Sequence, residues 1–115
     1  MEPINIINLT PHDVNYYVQD EILVTFPVIS TNPDDLPRCE KFSETVEIPG
    51  LNFKTYKTRF GEVNDLPEPA DGVFYIVSAL VRDRRQDRKD LLSPTDAVRD
   101  EKGRVIGCRG FDTNH

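Results

Sequence analysis

A chain of 115 residues with 37% hydrophobic and 30% charged residues is one domain, large enough for a modest core and too small for two. Its composition stops short of that of a disordered chain. The formal net charge of −6 repels phosphate polymers and anionic lipid, so no nucleic acid polymer and no membrane surface is expected as a partner.

No run of about 18 apolar residues spans a membrane. Met1-Glu2-Pro3 lacks the basic and apolar regions of a secretory signal, so the expected location is cytoplasmic. Cys39 and Cys108 have no CxxC spacing and read as two reduced thiols. Asn8-Leu9-Thr10 matches a glycosylation sequon that has no meaning without a secretion route. A small domain with this much polar surface gains stability by burying a face in an oligomer, and a homo-oligomer is expected.

In chain order, Ile4–Leu9 is a short apolar strand ended by Thr10-Pro11. Val14–Val18 and Ile22–Phe26 form a hairpin around Gln19-Asp20-Glu21. The segment Ser30–Pro37 breaks regular structure. A second hairpin pairs Phe42–Ile48 with Phe53–Phe60 across Pro49-Gly50-Leu51-Asn52, and Gly61–Gly72 is a loop. Val73–Val77 is the unbroken apolar run of a central strand. Ser78 N-caps a helix from Ala79 to about Arg85, and Leu91-Leu92-Ser93-Pro94 closes that region. Thr95–Arg99 and Arg104–Cys108 pair across Asp100-Glu101-Lys102-Gly103, and the last residues fray. The expected fold is mainly β (α+β): a small antiparallel sheet built from hairpins, with one or two short helices in the C-terminal half.

Charge divides this chain. Residues 1–71 hold 13 acidic and 5 basic side chains, and residues 72–115 hold 7 acidic and 9 basic ones. A local basic surface on an acidic molecule suits a small anionic ligand. Arg82, Arg84, Arg85 and Arg88 alternate with Asp83, Asp87 and Asp90, so much of that charge pairs locally. Arg59, Arg99, Arg104 and Arg109 fall on strands or hairpins, where a guanidinium clamps phosphate bidentately or stacks on a base. Tyr16, Tyr17, Phe53, Tyr56, Phe74 and Tyr75 are the rings available to stack, with one of Phe74 and Tyr75 turned to the core. The strand-to-helix junction at Ser78 presents backbone N–H groups that suit phosphate, without the glycines of a P-loop.

Catalytic machinery is not evident. His12 and His115 are the only histidines, and neither has a partnered serine or cysteine at recognisable spacing. No motif of metal-ligand spacing occurs, so no catalytic residue, metal or cofactor is expected.

Six segments taken together carry a pattern: Asn8–His12, Phe60–Val63, Leu66–Pro69, Tyr75–Ser78, Asp90–Pro94 and Val98–Arg109. The pattern resembles small proteins of phages and prophages, and it is similar to the Thoeris anti-defence sponge family. It covers residues 4–12 and 59–111; the region 15–58 is not distinctive. The resemblance implies a phage anti-defence sponge. Such a protein binds a cyclic ADP-ribose-type immune signal, and in some members a cyclic oligonucleotide, without cleaving it. It implies no enzyme, a small anionic nucleotide ligand and a higher-order oligomer.

Under that resemblance Arg59 and Arg109 contact phosphates, with Arg99 a third candidate. Phe74 or Tyr75 stacks on the base, and Ser78, Asp90 or Ser93 bonds ribose or base edges. Two other readings compete. One is an acidic phage or bacterial protein that acts by contact with a host protein. The other is a nucleotide hydrolase, which would turn its ligand over.

Overall fold

The computed structural model describes residues 4–32 and 35–115, so Met1-Glu2-Pro3 and part of the Ser30–Pro37 break lie outside the described residues. Eight strands and one short helix occur among them. They are β1 (Asn5–Asn8), β2 (Val14–Val18), β3 (Glu21–Phe26), β4 (Arg38–Val46), β5 (Thr55–Asn64), β6 (Val73–Ile76), α1 (Ala79–Arg84), β7 (Leu91–Arg99) and β8 (Val105–Thr113). Six strands form one sheet in the order β1-β6-β7-β8-β2-β3, and β4 and β5 pair separately as a two-stranded ribbon.

The apolar run at β6 explains the centre of the fold. β6 is parallel to β1 on one side and to β7 on the other. Backbone bonds extend both ladders past the strand ends, from Leu9 N–H to Ile76 O and from Val77 N–H to Leu92 O. A strand enclosed in this way is buried on both faces, which is why its sequence runs apolar without alternation. Tyr75 and Val77 pack with Leu9, Leu91 and α1's Val81 on one face. Ile76 packs with Val14 and Cys108 on the other.

That second cluster takes side chains from all six strands. Ile6, Ile76, Leu92, Cys108, Phe111, Val14, Tyr16 and Phe26 meet there. The sheet therefore curls around them, and its two end strands β1 and β3 come into contact. Phe111 lies stacked on Tyr16 at 6.0 Å and edge-on to Phe26 at 6.1 Å. Such ring pairs contribute about 0.5–1.5 kcal/mol each beyond their buried area.

Mainly β architecture agrees with the sequence expectation; an all-antiparallel sheet does not. Residues 77–90, carrying α1, form the crossover that parallel pairing of β6 and β7 requires. β2 also runs parallel to β8. The expected loop at Gly61–Gly72 begins later, because β5 continues to Asn64. Leu91–Pro94 opens a strand instead of closing a helix. Pro94 is tolerated because the ladder to β6 ends at Leu92. The C-terminus is tied down: β8 reaches Thr113, and Asn114 Nδ2 donates to Arg82 O, Arg85 O and Arg88 O at the end of α1. Ser78 is the N-cap, its Oγ accepting the Val81 N–H at 3.3 Å.

Candidate functional site

Asn8 ends β1 with a side chain that is 2% exposed and bonded at both ends. Its Oδ1 accepts the Thr10 N–H at 3.0 Å and the Thr10 hydroxyl at 2.7 Å. Its Nδ2 donates to His12 O at 2.7 Å and to Phe26 O at 2.9 Å. An Asx turn of this kind fixes the backbone two residues on, so Thr10-Pro11-His12 stands as a rigid wall. The bond to Phe26 O also fastens β1 to β3 where the sheet closes. Replacing Asn8 with alanine is expected to lower stability by about 2–4 kcal/mol, since buried partners lose their bonds. Urea unfolding checks this, and an unchanged midpoint would refute the role.

A depression lies on either side of this wall. The smaller, about 190 Å³, is lined by Leu9, Thr10, Pro11, Leu36, Pro37, Arg38 and Ser78. It sits beyond the carboxyl ends of the parallel strands β1 and β6, the crevice where open parallel sheets commonly take ligands. The larger, about 500 Å³, runs along the seam of β2 and β8. Val14, Pro94, Val105, Ile106 and Cys108 give it apolar walls, and Thr10, His12, Asp13 and Asn15 give it a polar rim. Asn15 bridges the seam, with Nδ2 donating to Ile106 O at 3.0 Å. Asp13 Oδ1 accepts the Val28 N–H at 2.8 Å. Burial pushes the Cys108 thiol up, away from the reactive thiolate form.

The residues singled out from sequence do not share one pocket. Ser78 lines the smaller depression. Tyr75 belongs to the core, its hydroxyl donating to Glu68 O at 3.4 Å, and Phe74 is half-buried beside it. Ser93 is fully buried and accepts from Arg82 Nε at 2.7 Å. Asp90 takes two bonds from Arg88, at 2.9 and 2.8 Å. Arg99 Nη1 donates to Gly103 O at 2.8 Å, next to the β7–β8 turn. Arg109 is exposed, 4.0 Å from Asp20. Arg59 stands apart on the ribbon, its guanidinium 5.3 Å from the centre of the Phe42 ring.

The arginine-rich segment is engaged within the fold. Arg82 also donates to Asn114 Oδ1, and Arg84 reaches Phe60 O and Gly61 O, tying α1 to the ribbon's base. Arg85 pairs with Asp87 at 2.9 Å and Arg88 with Asp90 at 2.8 Å. The bond from Arg88 holds the Asp90 carboxyl below the usual carboxylate range, and Arg85 does the same for Asp87. At the turn, the Arg104 backbone N–H is the largest of the bonds that hold Asp100 low.

Sequence reasoning missed Thr10, Asp13 and Arg38 as lining residues. The available signal was Asn8-Leu9-Thr10-Pro11, which reads as a turn motif once glycosylation is set aside. Among the described residues no three His, Cys, Asp or Glu side chains converge, and no helix is long and apolar enough to cross a membrane. No protein-family profile, curated protein or solved structure matches the chain.

Proposed function

We propose that the protein binds a small anionic nucleotide stoichiometrically and sequesters it unchanged, with a cyclic ADP-ribose-type signal as the ligand. The observation that carries this reading is the pair of depressions sharing Thr10. The smaller sets Ser78, Thr10 and Arg38 beside apolar Leu9, Pro11, Leu36 and Pro37, a mix of residue types suited to phosphate and ribose. The larger has the apolar walls and polar rim that a base requires. Binding of this kind needs fit and burial and uses no general base.

The test is incubation with cyclic ADP-ribose isomers and cyclic oligonucleotides, filtration, heat denaturation and mass spectrometry of what is released. Intact ligand in near-stoichiometric amount is the expected result; a converted product points to a hydrolase, and no retained nucleotide overturns the reading. Arg38→Glu, at an exposed rim position, is expected to weaken retention by roughly tenfold at low salt, and less at high salt, by setting a like charge against phosphate.

The rival reading, docking on a host protein, is favoured by the exposed apolar side chains of the ribbon, Phe42, Phe53 and Tyr56 among them. A single host protein recovered with no small molecule retained would put that reading first.

A further inference from the structure

The ribbon of β4 and β5 is unlike the rest of the molecule. Every residue from Lys41 to Phe60 except Thr55 is exposed, on both faces. A two-stranded hairpin is marginal by itself in water and needs something packed on it. Helix α1 reaches only the ribbon's base, through Arg84.

Its register defines a chemically ordered face. Phe42 is opposite Arg59, Glu44 opposite Lys57 and Val46 opposite Thr55. Directly opposed residues of an antiparallel pair point to the same side, and so do alternate residues along each strand. These six side chains therefore share one face. Phe42 is 47% exposed and Val46 36%, and Ile48, Leu51 and Phe53 add exposed apolar surface at the tip.

The two sides of the ribbon carry opposite charge. Between Phe42 and Ile48 the only charged residues are Glu44 and Glu47. Between Phe53 and Arg59 they are Lys54, Lys57 and Arg59. Glu44 and Lys57 face each other across the ladder, yet among the described residues no ion pair joins them.

We infer that a second copy of this chain covers this face, ribbon on ribbon with both tips pointing the same way. A two-fold axis along the ribbon lays β4 of one copy over β5 of the other. Opposed residues sit at equal height, so Glu44 meets the partner's Lys57 and Lys57 meets the partner's Glu44. Val46 lies over the partner's Thr55, and the Phe42 ring, already covered on one side by its own Arg59, lies over the partner's Arg59. The interface is isologous and closes.

Other two-fold arrangements of the ribbon lack this match. Edge-to-edge pairing of β5 with itself centred on Lys57 brings lysines and Arg59 together, and pairing of β4 with itself centred on Glu44 brings glutamates together. Face-to-face packing with the tips opposed stacks β4 on β4. Charge complementarity selects the parallel arrangement.

Sedimentation equilibrium of the full chain at micromolar concentration tests this. The expected mass is twice the 13.2 kDa of one chain. Glu44→Lys and Lys57→Glu are each expected to weaken the dimer on the order of a hundredfold. Mixing the two variants is expected to restore a heterodimer, because the two substituted positions then face each other with opposite charge and the remaining native pair is kept. Repulsion within each variant ribbon is unchanged by mixing, so restoration reports the contact between copies. A wild-type chain that stays monomeric overturns the inference and leaves the face to a different protein. So does a dimer that only one of the two variants weakens, or a mixture that stays monomeric. Circular dichroism of each variant confirms that these exposed positions leave the fold intact.

Discussion

Asp90→Ala is expected to destabilise the protein by about 2–4 kcal/mol, somewhat under the range for a fully buried ion pair, because it strips the buried Arg88 of its half-buried partner. The side chains of Arg88 and Asp90 are 8% and 16% exposed and joined by two parallel bonds. Without the carboxylate, the Arg88 guanidinium stays enclosed with its charge uncompensated. Replacing both, as Arg88→Met with Asp90→Leu, is expected to recover most of the loss, since an apolar pair of similar volume needs no desolvation of charge.

The same pair sets a pH dependence with a definite sign. The Asp90 carboxyl is held low chiefly by its bond from Arg88, so its folded pKa lies below the unfolded value of about 3.9. Its contribution is complete above that unfolded pKa and is lost as pH falls through the folded one. Asp87 and Asp100 are shifted the same way, but the difference between wild type and Asp90→Ala isolates the Arg88–Asp90 pair. Urea unfolding at pH 7 and again below about pH 3 reads it, and the gap between the two proteins should narrow in acid. Equal midpoints at pH 7 would remove the pair from the stability of the fold.

Gly107→Ala is the second large effect, expected to cost about 2–3 kcal/mol through overpacking. A Cβ at Gly107 would stand 2.4 Å from Tyr17 Cε2 and 2.7 Å from the Asn15 backbone oxygen. The ring has some freedom to turn; the carbonyl belongs to β2 and does not. Between β2 and β8 the ladder is one pair long, Tyr16 opposite Cys108, so a push here parts the β2–β3 hairpin from the sheet. Thermal unfolding should show Tm lowered by roughly 10 °C. Gly103→Ala makes a useful contrast. Its neighbourhood is empty and only its left-handed φ of 80° is lost, for about 1–2 kcal/mol. A Gly107 variant as stable as wild type would mean that the seam opens without cost.

Local signals were legible where a residue's neighbours in sequence are also its neighbours in space. The β2–β3 hairpin has its two-residue turn with Gln19 left-handed, and the Ser78 cap stands three residues before the N–H it accepts. Val73–Val77 read as an enclosed strand because five apolar residues in a row have no solvent-facing alternative. Tyr75 illustrates the limit. Its type suited base stacking, and alternation left open whether it or Phe74 turned inward; packing against Leu9 and Val81 decided the matter. Arg59, Arg99 and Arg109 look alike in sequence, yet the fold sends them to the ribbon, the β7–β8 turn and the edge of Asp20.

By itself the sequence determined a mainly β domain, the short helix and its cap, the hairpin of β2 and β3, and a basic C-terminal part with local Arg–Asp pairs. These follow from propensity, period and charge, which act over a few residues. Only the tertiary structure decided that β6 runs parallel to both neighbours, that Asn8 pins a wall between two depressions, and that Asn114 closes α1. Each depends on contacts across tens of residues, such as Asn8 with Phe26 or Asn114 with Arg82. Their free energy exists only once the chain has closed those loops, so no short stretch of sequence carries it.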